Sequence, residues 1–260
     1  NRLTMLRIAD AFADACFVVA AIDAPMHGIT DKTSPFYCPT NPLCAAAGER
    51  TFNVDFINNA TNAQTPDGRT DDSGTWFFYV GNTLFSRDNL RQAEADMIVF
   101  TKSVSTLDFT GDGVADIDPK RVHYVGLSLS GIMGGSHLHF AGDTQTATLS
   151  VPGGPLSLVS LQSASLPFRG LIALNIPYQS TLYNNFWNEG QAVLDSADPA
   201  NHILSGQKVV PMHLQKVVGD TVIPNVSTDY LINAAKLKKI STLGPTAVGE
   251  GTGGYTTMTA

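Results

Sequence analysis

The stretch at 122–131, Val-His-Tyr-Val-Gly-Leu-Ser-Leu-Ser-Gly, decides the fold. It opens with β-branched and aromatic residues that favour a strand, and the small apolar residues at 132–135 can continue as a helix. Strand, sharp turn and helix in this order predict a nucleophile elbow, where a serine at the turn has a strained backbone and an exposed hydroxyl. Gly126 lacks the Cβ that would clash in so tight a turn. We therefore identify Ser128 as the candidate nucleophile.

The motif departs from the usual G-x-S-x-G at one position. Ser130 takes the place of the second glycine, and serine is small enough for the departure to be tolerable. A motif centred on Ser130 fails, because Ser128 and Ile132 would then occupy the glycine positions. In the motif centred on Ser128, the backbone N–H of Leu129 is the expected oxyanion donor.

Composition indicates a globular α/β protein with a substantial core. The chain has 260 residues, 43% of them hydrophobic and 15% charged, which suits one large domain or two small ones. The net charge of −7 argues against a nucleic-acid partner, and we interpret the densest basic stretch, 236–239, as a solvated helix end. Apolar runs stay below the roughly 18 residues of a membrane helix, so we expect no transmembrane segment.

Periodicity predicts alternating helices and strands. Helices are expected at 4–15 behind a Thr4 cap, at 86–104 behind a Ser86 cap, and at 130–140. Strands are expected near 17–22, 122–127, 147–151, 209–218 and 253–258. The result is a mostly parallel sheet with helices on both faces and Ser128 at a carboxyl edge. Residues 29–85 and 152–206 read as excursions over that edge.

The second excursion is rich in aromatic residues. Its apolar content suits a cap or lid that binds an acyl chain, although ordinary helix packing explains the same pattern. The residues concerned are Tyr178, Tyr183, Phe186 and Trp187.

The three cysteines predict one disulfide. Cys38 and Cys44 lie six apart in a Pro-rich loop without a core of its own, where a covalent clip stabilises most, and a bridge there implies an oxidising compartment. We expect Cys16 to be a small buried hydrophobe.

An acidic loop precedes the nucleophile strand. Its oxygen-bearing residues alternate around Gly113, as in the calcium loops of bacterial and integrin-type repeats, and a bound Ca²⁺ would be structural. The alternative is an Asp/Gly turn that connects helix to strand. The expected ligand positions are Asp108, Thr110, Asp112, Val114 and Asp116.

Asp220 is the candidate catalytic acid. It lies in Gly-Asp-Thr-Val-Ile-Pro, just past a late strand, where a carboxylate can orient a catalytic histidine. The chain order of Ser128 followed by Asp220 is that of α/β-hydrolases.

Four motifs together resemble the bacterial extracellular lipases of the virulence-factor type, within the α/β-hydrolase superfamily. They are the Gly-Leu-Ser-Leu elbow, the Asp220 turn, Ile-Asp-Ala-Pro-Met-His-Gly at 22–28, and Ser-Arg-Asp-Asn-Leu-Arg-Gln at 86–92. The similarity covers nearly the whole chain, and the 86–92 stretch is more specific than the serine motif. It implies hydrolysis of carboxylic esters or lipids, a secreted or cell-surface location, and no organic cofactor.

The catalytic histidine of that family has no counterpart here. All six histidines precede Asp220, whereas the family places its base after the last strand and an oxyanion His-Gly before the first helix. We therefore expect 1–260 to be a single α/β-hydrolase domain truncated at both ends, with the base supplied by further segments of a longer polypeptide. His27 and His202, on predicted loops, are the alternatives within the chain.

The sequence thus predicts a serine esterase or lipase that forms an acyl-enzyme. A thioesterase, peptidase or polyester depolymerase on the same fold is the alternative among enzymes. A catalytically incomplete module for binding or assembly is the alternative outside them.

Overall fold

The computed structural model describes residues 2–42, 44, 48–240 and 254–259. The chain forms two compact units, Asn1–Ala93 (unit 1) and Glu94–Ala260 (unit 2). The expectation of a single domain over 1–260 stays a prediction. Within the described ranges, no helix combines the length and apolar character that crossing a membrane requires.

Unit 1 is mostly irregular. A 3-10 turn at Arg2–Met5 leads into α1 (Leu6–Asp14), which confirms the predicted first helix, and α2 (Thr83–Val104) begins in this unit. The predicted strand at 17–22 is wrong, because no strand is assigned there and Val18 is 66% exposed. An apolar run becomes a strand only where a neighbouring strand pairs with it, and no described strand pairs with this run.

The disulfide loop of unit 1 closes as predicted. Cys38 and Cys44 are bonded, with Cα atoms 5.0 Å apart. Glu49 accepts the N–H of Cys38 at 2.8 Å and lies 3.2 Å from the Arg2 guanidinium. Burial raises the pKa of Glu49, but Arg2 and the N–H groups of Cys38 and Ile29 outweigh burial and hold the pKa below its ordinary value. Cys16 is exposed at φ +63°, so the expectation of a buried thiol is wrong.

Unit 2 alternates strands with helices. Its strands are β1 (His123–Leu127), β2 (Thr146–Ser150), β3 (Met212–Val218), β4 (Lys238–Lys239) and β5 (Gly254–Thr259). Its helices after α2 are α3 (Leu129–His137), α4 (Leu156–Gln162), α5 (Phe168–Ala173), α6 (Thr181–Leu194), α7 (Pro199–Val209) and α8 (Asn225–Ala234).

The five described strands form one parallel sheet in the order β1-β2-β3-β5-β4. This confirms the predicted α/β fold with a mostly parallel sheet and packed helices. The register aligns Leu127 with Ser150, and Ser150 with Gln215. Since all strands run the same way, the turns after β1, β2 and β3 meet at one edge of the sheet.

The core of unit 2 joins β2 and β3 to α7, α8 and the end of α3. Fully buried members include Leu149, Leu214, Ile203 and Leu231. Gly134 brings α3 against this face, since a Cβ there would lie 2.5 Å from the Tyr124 ring and 2.7 Å from Leu149. Helix α3 is therefore packed directly against this face of the sheet at Gly134.

The basic stretch at 236–239 differs from expectation. Helix α8 ends at Ala234, and Lys238–Lys239 form strand β4 beside β5. Lys236 adopts φ +54°, the left-handed conformation that ends helices, and the Leu237 N–H donates to the Ile232 carbonyl at 3.0 Å.

Candidate active site

Ser128 has the backbone of a nucleophile elbow. It lies between β1 and α3 with φ +54° and ψ −117°, a conformation that non-glycine residues rarely adopt. Such strain costs about 1–3 kcal/mol and persists only where surrounding structure enforces it. Here the Ser128 N–H donates to Ser150 of β2 at 2.9 Å, and its carbonyl accepts the Ile132 N–H at 2.9 Å. The serine is thus fixed at the carboxyl edge of the sheet.

Two polar groups beside this backbone, the Ser128 hydroxyl and the Leu129 N–H, are free of protein partners in the described part of the chain. Among the residues that the structure describes, the Ser128 hydroxyl has no hydrogen-bond partner, and neither has the N–H of Leu129. Leu129 is the first residue of α3, where N–H groups have no partner within the helix and the helix dipole favours negative charge. An oxyanion that forms next to Ser128 would meet this donor.

Ser130, which replaces the second glycine of the motif, stabilises the turn as well as fitting into it. Its hydroxyl accepts the N–H of Leu127 and donates to the carbonyl of Leu127, both at 2.8 Å. The close approach of helix and strand, expected at the position of Ser130, occurs instead at Gly131. A Cβ on Gly131 would lie 2.9 Å from the Ser150 carbonyl oxygen. The Tyr124 hydroxyl donates to the Ser130 carbonyl at 2.6 Å and supports the turn from the core.

Gly126→Ala is expected to destabilise the protein. An added Cβ would lie 2.5 Å from the Ser130 oxygen and 2.9 Å from the Gly131 nitrogen, both backbone atoms that cannot move aside. We expect a loss of about 3 kcal/mol of unfolding free energy, measured by urea denaturation. The matched control is Gly142→Ala, which has open space around its Cβ and should change stability by less than about 1 kcal/mol. Equal stability of the two variants would contradict the elbow geometry.

Asp220 lies in the turn after β3. One carboxylate oxygen accepts the N–H groups of Val222 at 2.8 Å and Ile223 at 2.9 Å. The other oxygen has no partner among the described residues. A carboxylate fixed in this way can accept one further hydrogen bond, as an acid that orients a histidine must.

The Asp220 turn is braced from two sides. The Asn225 side chain donates to the Val217 carbonyl at 2.6 Å and accepts the Gly219 N–H at 2.9 Å. On the other side, Thr221 accepts the N–H groups of Ala164 and Ser165 at 3.0 Å, so the excursion at 152–206 borders the turn. Sequence reasoning missed Asn225, although an asparagine shortly after a glycine turn is a recognisable signal.

Ser128 and Asp220 lie at the same edge of the sheet. They follow β1 and β3, which β2 separates, so the strands that lead to them are about 10 Å apart at about 4.8 Å per strand. No hydrogen bond joins the two side chains among the described residues. Strand β5 ends beside β3, with Thr259 paired to Val218.

Two histidines of unit 2 lie within strands and form hydrogen bonds to threonine hydroxyls of neighbouring strands. The Nδ1 of His123 lies 2.8 Å from the Thr146 hydroxyl. The Nε2 of His213 lies 2.9 Å from the Thr256 hydroxyl. His123 is at the amino end of β1, opposite to the end that leads to Ser128.

The structure does not bring His202 to Ser128. His202 lies within α7, not on the predicted loop, and its ring packs against His139 with centroids 5.6 Å apart. His139 follows the carboxyl end of α3, whereas Ser128 precedes its amino end. These ends are about 12 Å apart at 1.5 Å per residue.

His27 belongs to unit 1. Its Nδ1 lies 2.9 Å from the carbonyl oxygen of Pro25, and its ring packs on Phe77 with centroids 5.0 Å apart. Burial lowers the pKa of His27 below its ordinary value, so its imidazole is neutral near pH 7. A carbonyl can only accept, so Nδ1 carries the proton and Nε2 is the basic nitrogen.

His137 is fully buried against the ring of Tyr124, and neither ring nitrogen has a partner in the described part of the chain. Burial lowers the pKa of His137 to about 4. Because the unfolded chain binds this proton near pH 6.5, stability should fall as the pH drops from about 6.5 to 4, by up to about 3 kcal/mol. His137→Phe should remove that part of the pH dependence in urea titrations, whereas the exposed His139→Gln should not. Identical pH profiles for wild type and His137→Phe would refute the assignment.

The aromatic residues of the excursion pack mainly on one another. Tyr183 and Trp187 of α6 are buried, with ring centroids 6.1 Å apart. Tyr178, in contrast, is 54% exposed. The fully buried Asp198 joins two parts of the excursion, since it accepts the N–H groups of Leu156 at 2.5 Å and Ala200 at 2.8 Å. Burial raises the pKa of Asp198. The role of 152–206 as a cap or lid stays a prediction.

The acidic loop uses its carboxylates internally. Asp108 accepts the N–H groups of Gly113 at 2.8 Å and Gly111 at 2.6 Å, and these bonds lower its pKa. Asp116 accepts the N–H of Phe109 at 2.6 Å. In the described ranges, no three His, Cys, Asp or Glu side chains are grouped to hold a metal ion. Calcium at Asp108, Asp112 and Asp116 stays a prediction.

No protein-family model matches the chain, and no curated protein matches it significantly. Several solved structures resemble it at low identity. Acetyl xylan esterase 1 from Thermoanaerobacterium sp. is 14% identical, with a TM-score of 0.46, 75% of this chain covered and 56% of that chain. The Pyrococcus horikoshii acylaminoacyl peptidase is 14% identical, with a TM-score of 0.39, and the match covers 67% of this chain and 24% of that chain. A lipase/esterase from Lactobacillus plantarum is 11% identical, with a TM-score of 0.36, and the match covers 65% of this chain and 56% of that chain. The chain thus spans about half or less of their length.

Proposed function

We propose that the chain is a carboxylic-ester hydrolase that uses Ser128 as its nucleophile. The observation that carries the proposal is the strained Ser128 backbone, at φ +54°, between a parallel strand and a helix N-terminus. A free hydroxyl and a free Leu129 N–H accompany this strain, and strained serines with adjacent donors are the arrangement that acyl transfer requires. An esterase or lipase of the family that the sequence resembles uses the same chemistry.

The reaction proceeds in two halves. The Ser128 oxygen attacks the ester carbonyl while its proton passes to an imidazole, and the Leu129 N–H stabilises the oxyanion. The C–O bond to the alcohol then breaks, and the imidazolium gives its proton to the leaving oxygen, so that an acyl-Ser128 ester remains. Water attacks this ester and loses a proton to the imidazole. The bond to Ser128 breaks as the imidazolium returns that proton to the Ser128 oxygen, which releases the acid and regenerates the serine. Asp220 orients the imidazole through its unoccupied oxygen.

The imidazole is the part that the described residues of unit 2 do not supply, since none of their histidines contacts Ser128 or Asp220. We propose that a histidine outside this set serves as the base, and His27 of unit 1 is the candidate among the described residues. His27→Gln tests this candidate. A loss of kcat of about a thousandfold or more assigns the role to His27, and an unchanged kcat excludes it.

Exposed apolar side chains of unit 2 support an apolar acyl group. Val222, two residues after Asp220, is 40% exposed. The excursion, which bonds to Thr221 through Ala164 and Ser165, also exposes large apolar side chains by 44–80%, those of Leu171, Leu174, Tyr178 and Leu182. Such side chains are candidates for contact with an apolar ligand. The Cys38–Cys44 disulfide supports a secreted or cell-surface location, since such bonds persist in oxidising compartments.

Labelling with a fluorophosphonate tests the proposal. A covalent adduct located on Ser128 by mass spectrometry is the expected result. Full-length folded protein that takes no label would contradict it and favour a catalytically incomplete module for binding or assembly. A panel of p-nitrophenyl esters from acetate to palmitate then measures the chain-length preference. Thioester, peptide and polyester substrates distinguish the other hydrolase classes.

A further inference from the structure

Unit 1 presents a row of three aromatic rings at its surface. Phe56, Trp76 and Tyr79 follow one another, with centroids 5.5 Å apart between the first two and 5.6 Å between the last two. Phe56 is 59% exposed and Tyr79 45% exposed, so both ends of the row face solvent. We call these three residues the aromatic row. Isolated exposed aromatics are ordinary, but a contiguous row marks a binding surface.

A buried carboxylate holds the row in place. Asp71 is 3% exposed, and one of its oxygens accepts the indole N–H of Trp76 at 2.7 Å and the backbone N–H of Phe56 at 2.9 Å. Burying a carboxylate is costly unless several donors compensate it. Here two of the donors belong to members of the exposed row, and the N–H of Ile57 donates to the other oxygen at 3.4 Å. Rigid exposed side chains lose little entropy when a ligand binds, which is how binding sites gain affinity.

Two residues of the Ser-Arg-Asp-Asn-Leu-Arg-Gln motif at 86–92 bind the backbone of the segment that carries Trp76 and Tyr79. The Ser86 side chain was expected to cap a helix, but Ser86 lies inside α2 and its hydroxyl accepts the Tyr79 N–H at 2.8 Å. The Asn89 amide donates to the Trp76 carbonyl at 3.0 Å. Both side chains are buried, and Phe77, 1% exposed, anchors the segment between them. Ser86 and Asn89 therefore fix the backbone that carries two rings of the row.

The surroundings of the row indicate the class of ligand. Residues 53–72 contain four asparagines, four aspartates and a single arginine. Excess negative charge disfavours phosphates and anionic lipid, and dense amide and carboxylate groups do not suit a hydrocarbon surface. A sugar combines C–H faces, which stack on the electron-rich faces of aromatic rings, with hydroxyl edges for amides and carboxylates. We propose that the aromatic row is a carbohydrate-binding platform for a chain of sugar rings.

Affinity electrophoresis of the full chain tests this platform. Native gels that contain soluble xylan, hydroxyethyl cellulose or glycol chitin should retard the protein in at least one case. Phe56→Ala and Tyr79→Ala, both on exposed rings, should each weaken that binding about tenfold. The matched control is Phe109→Ala, since Phe109 is 65% exposed in unit 2 and should leave the retardation unchanged. Asp71→Asn keeps all three rings and should also weaken binding.

Three results would overturn the platform. One is unretarded mobility in all three polymers. Another is binding to phosphatidylcholine or phosphatidylglycerol vesicles that Phe56→Ala and Tyr79→Ala abolish, which would make the row a membrane contact. The third is a dimer in gel filtration that the same two substitutions dissociate. Thermal melts of each variant confirm that the chain remains folded, so a loss of binding reports on the rings.

Discussion

Replacement of Ser128 by alanine is expected to abolish fluorophosphonate labelling and to lower ester hydrolysis by at least about a thousandfold, since the nucleophile contributes most of the rate in serine hydrolases. The fold should survive, because the Ser128 hydroxyl has no partner among the described residues. Active-site labelling and kcat on p-nitrophenyl esters measure the effect. The control is Ser205→Ala, since the Ser205 hydroxyl bonds only within its own helix α7 at 2.8 Å. Labelling that persists in Ser128→Ala would remove the proposed nucleophile.

The same position predicts an unusual stability effect. Glycine accepts φ +54° without strain, so Ser128→Gly should be more stable than Ser128→Ala by roughly 1 kcal/mol. At Ser205, inside a helix, the order should be reversed, with the glycine variant about 1 kcal/mol less stable than the alanine variant. Urea denaturation of the four variants gives the comparison. A Ser128→Ala variant that is at least as stable as Ser128→Gly would mean that the Ser128 backbone is not strained.

Asp220→Asn is expected to lower kcat by about a thousandfold to ten-thousandfold, with KM changed only a few-fold. Asparagine keeps an oxygen for the N–H groups of Val222 and Ile223, but it removes the charge that holds the histidine in its useful tautomer. Stability should therefore change by less than about 1 kcal/mol.

The control for Asp220 is Asp143→Asn. Asp143 is an exposed acid that pairs with Lys102 at 3.0 Å, and such surface pairs contribute little. The Asp143 variant should match wild type in both kcat and stability. A large loss of stability in Asp220→Asn with proportional loss of kcat would indicate a structural role. Unchanged kcat would place the catalytic acid elsewhere.

The aromatic row of unit 1 has a signal in the sequence, although hydrophobic periodicity does not detect it. The segment Trp-Phe-Phe-Tyr at 76–79 follows a polar stretch, and four consecutive aromatic residues are rare in a loop. Only the structure separates their roles, since Phe77 is buried while Tyr79 is exposed. Phe56, twenty residues earlier, joins the row through the buried Asp71.

The sequence by itself determined the elements whose causes are local. Strands β1, β2, β3 and β5 follow from runs of β-branched and apolar residues, and the turn at Ser128 follows from Gly126 and the small residues around it. The Cys38–Cys44 bridge was also predictable, because a span of six residues in a Pro-rich loop leaves the two thiols close. In each case the residues that carry the sequence signal lie within about ten positions of one another.

The tertiary structure alone decided features that depend on partners distant in the chain. The apolar run at 17–22 is not a strand because no described strand pairs with it, and Lys238–Lys239 form one because β5 lies beside them. Ser86 supports Tyr79 instead of capping a helix, and His202 packs on His139 instead of lying on a loop. A backbone group forms whichever hydrogen bonds the folded chain brings within reach, and sequence periodicity records only which face of an element is apolar.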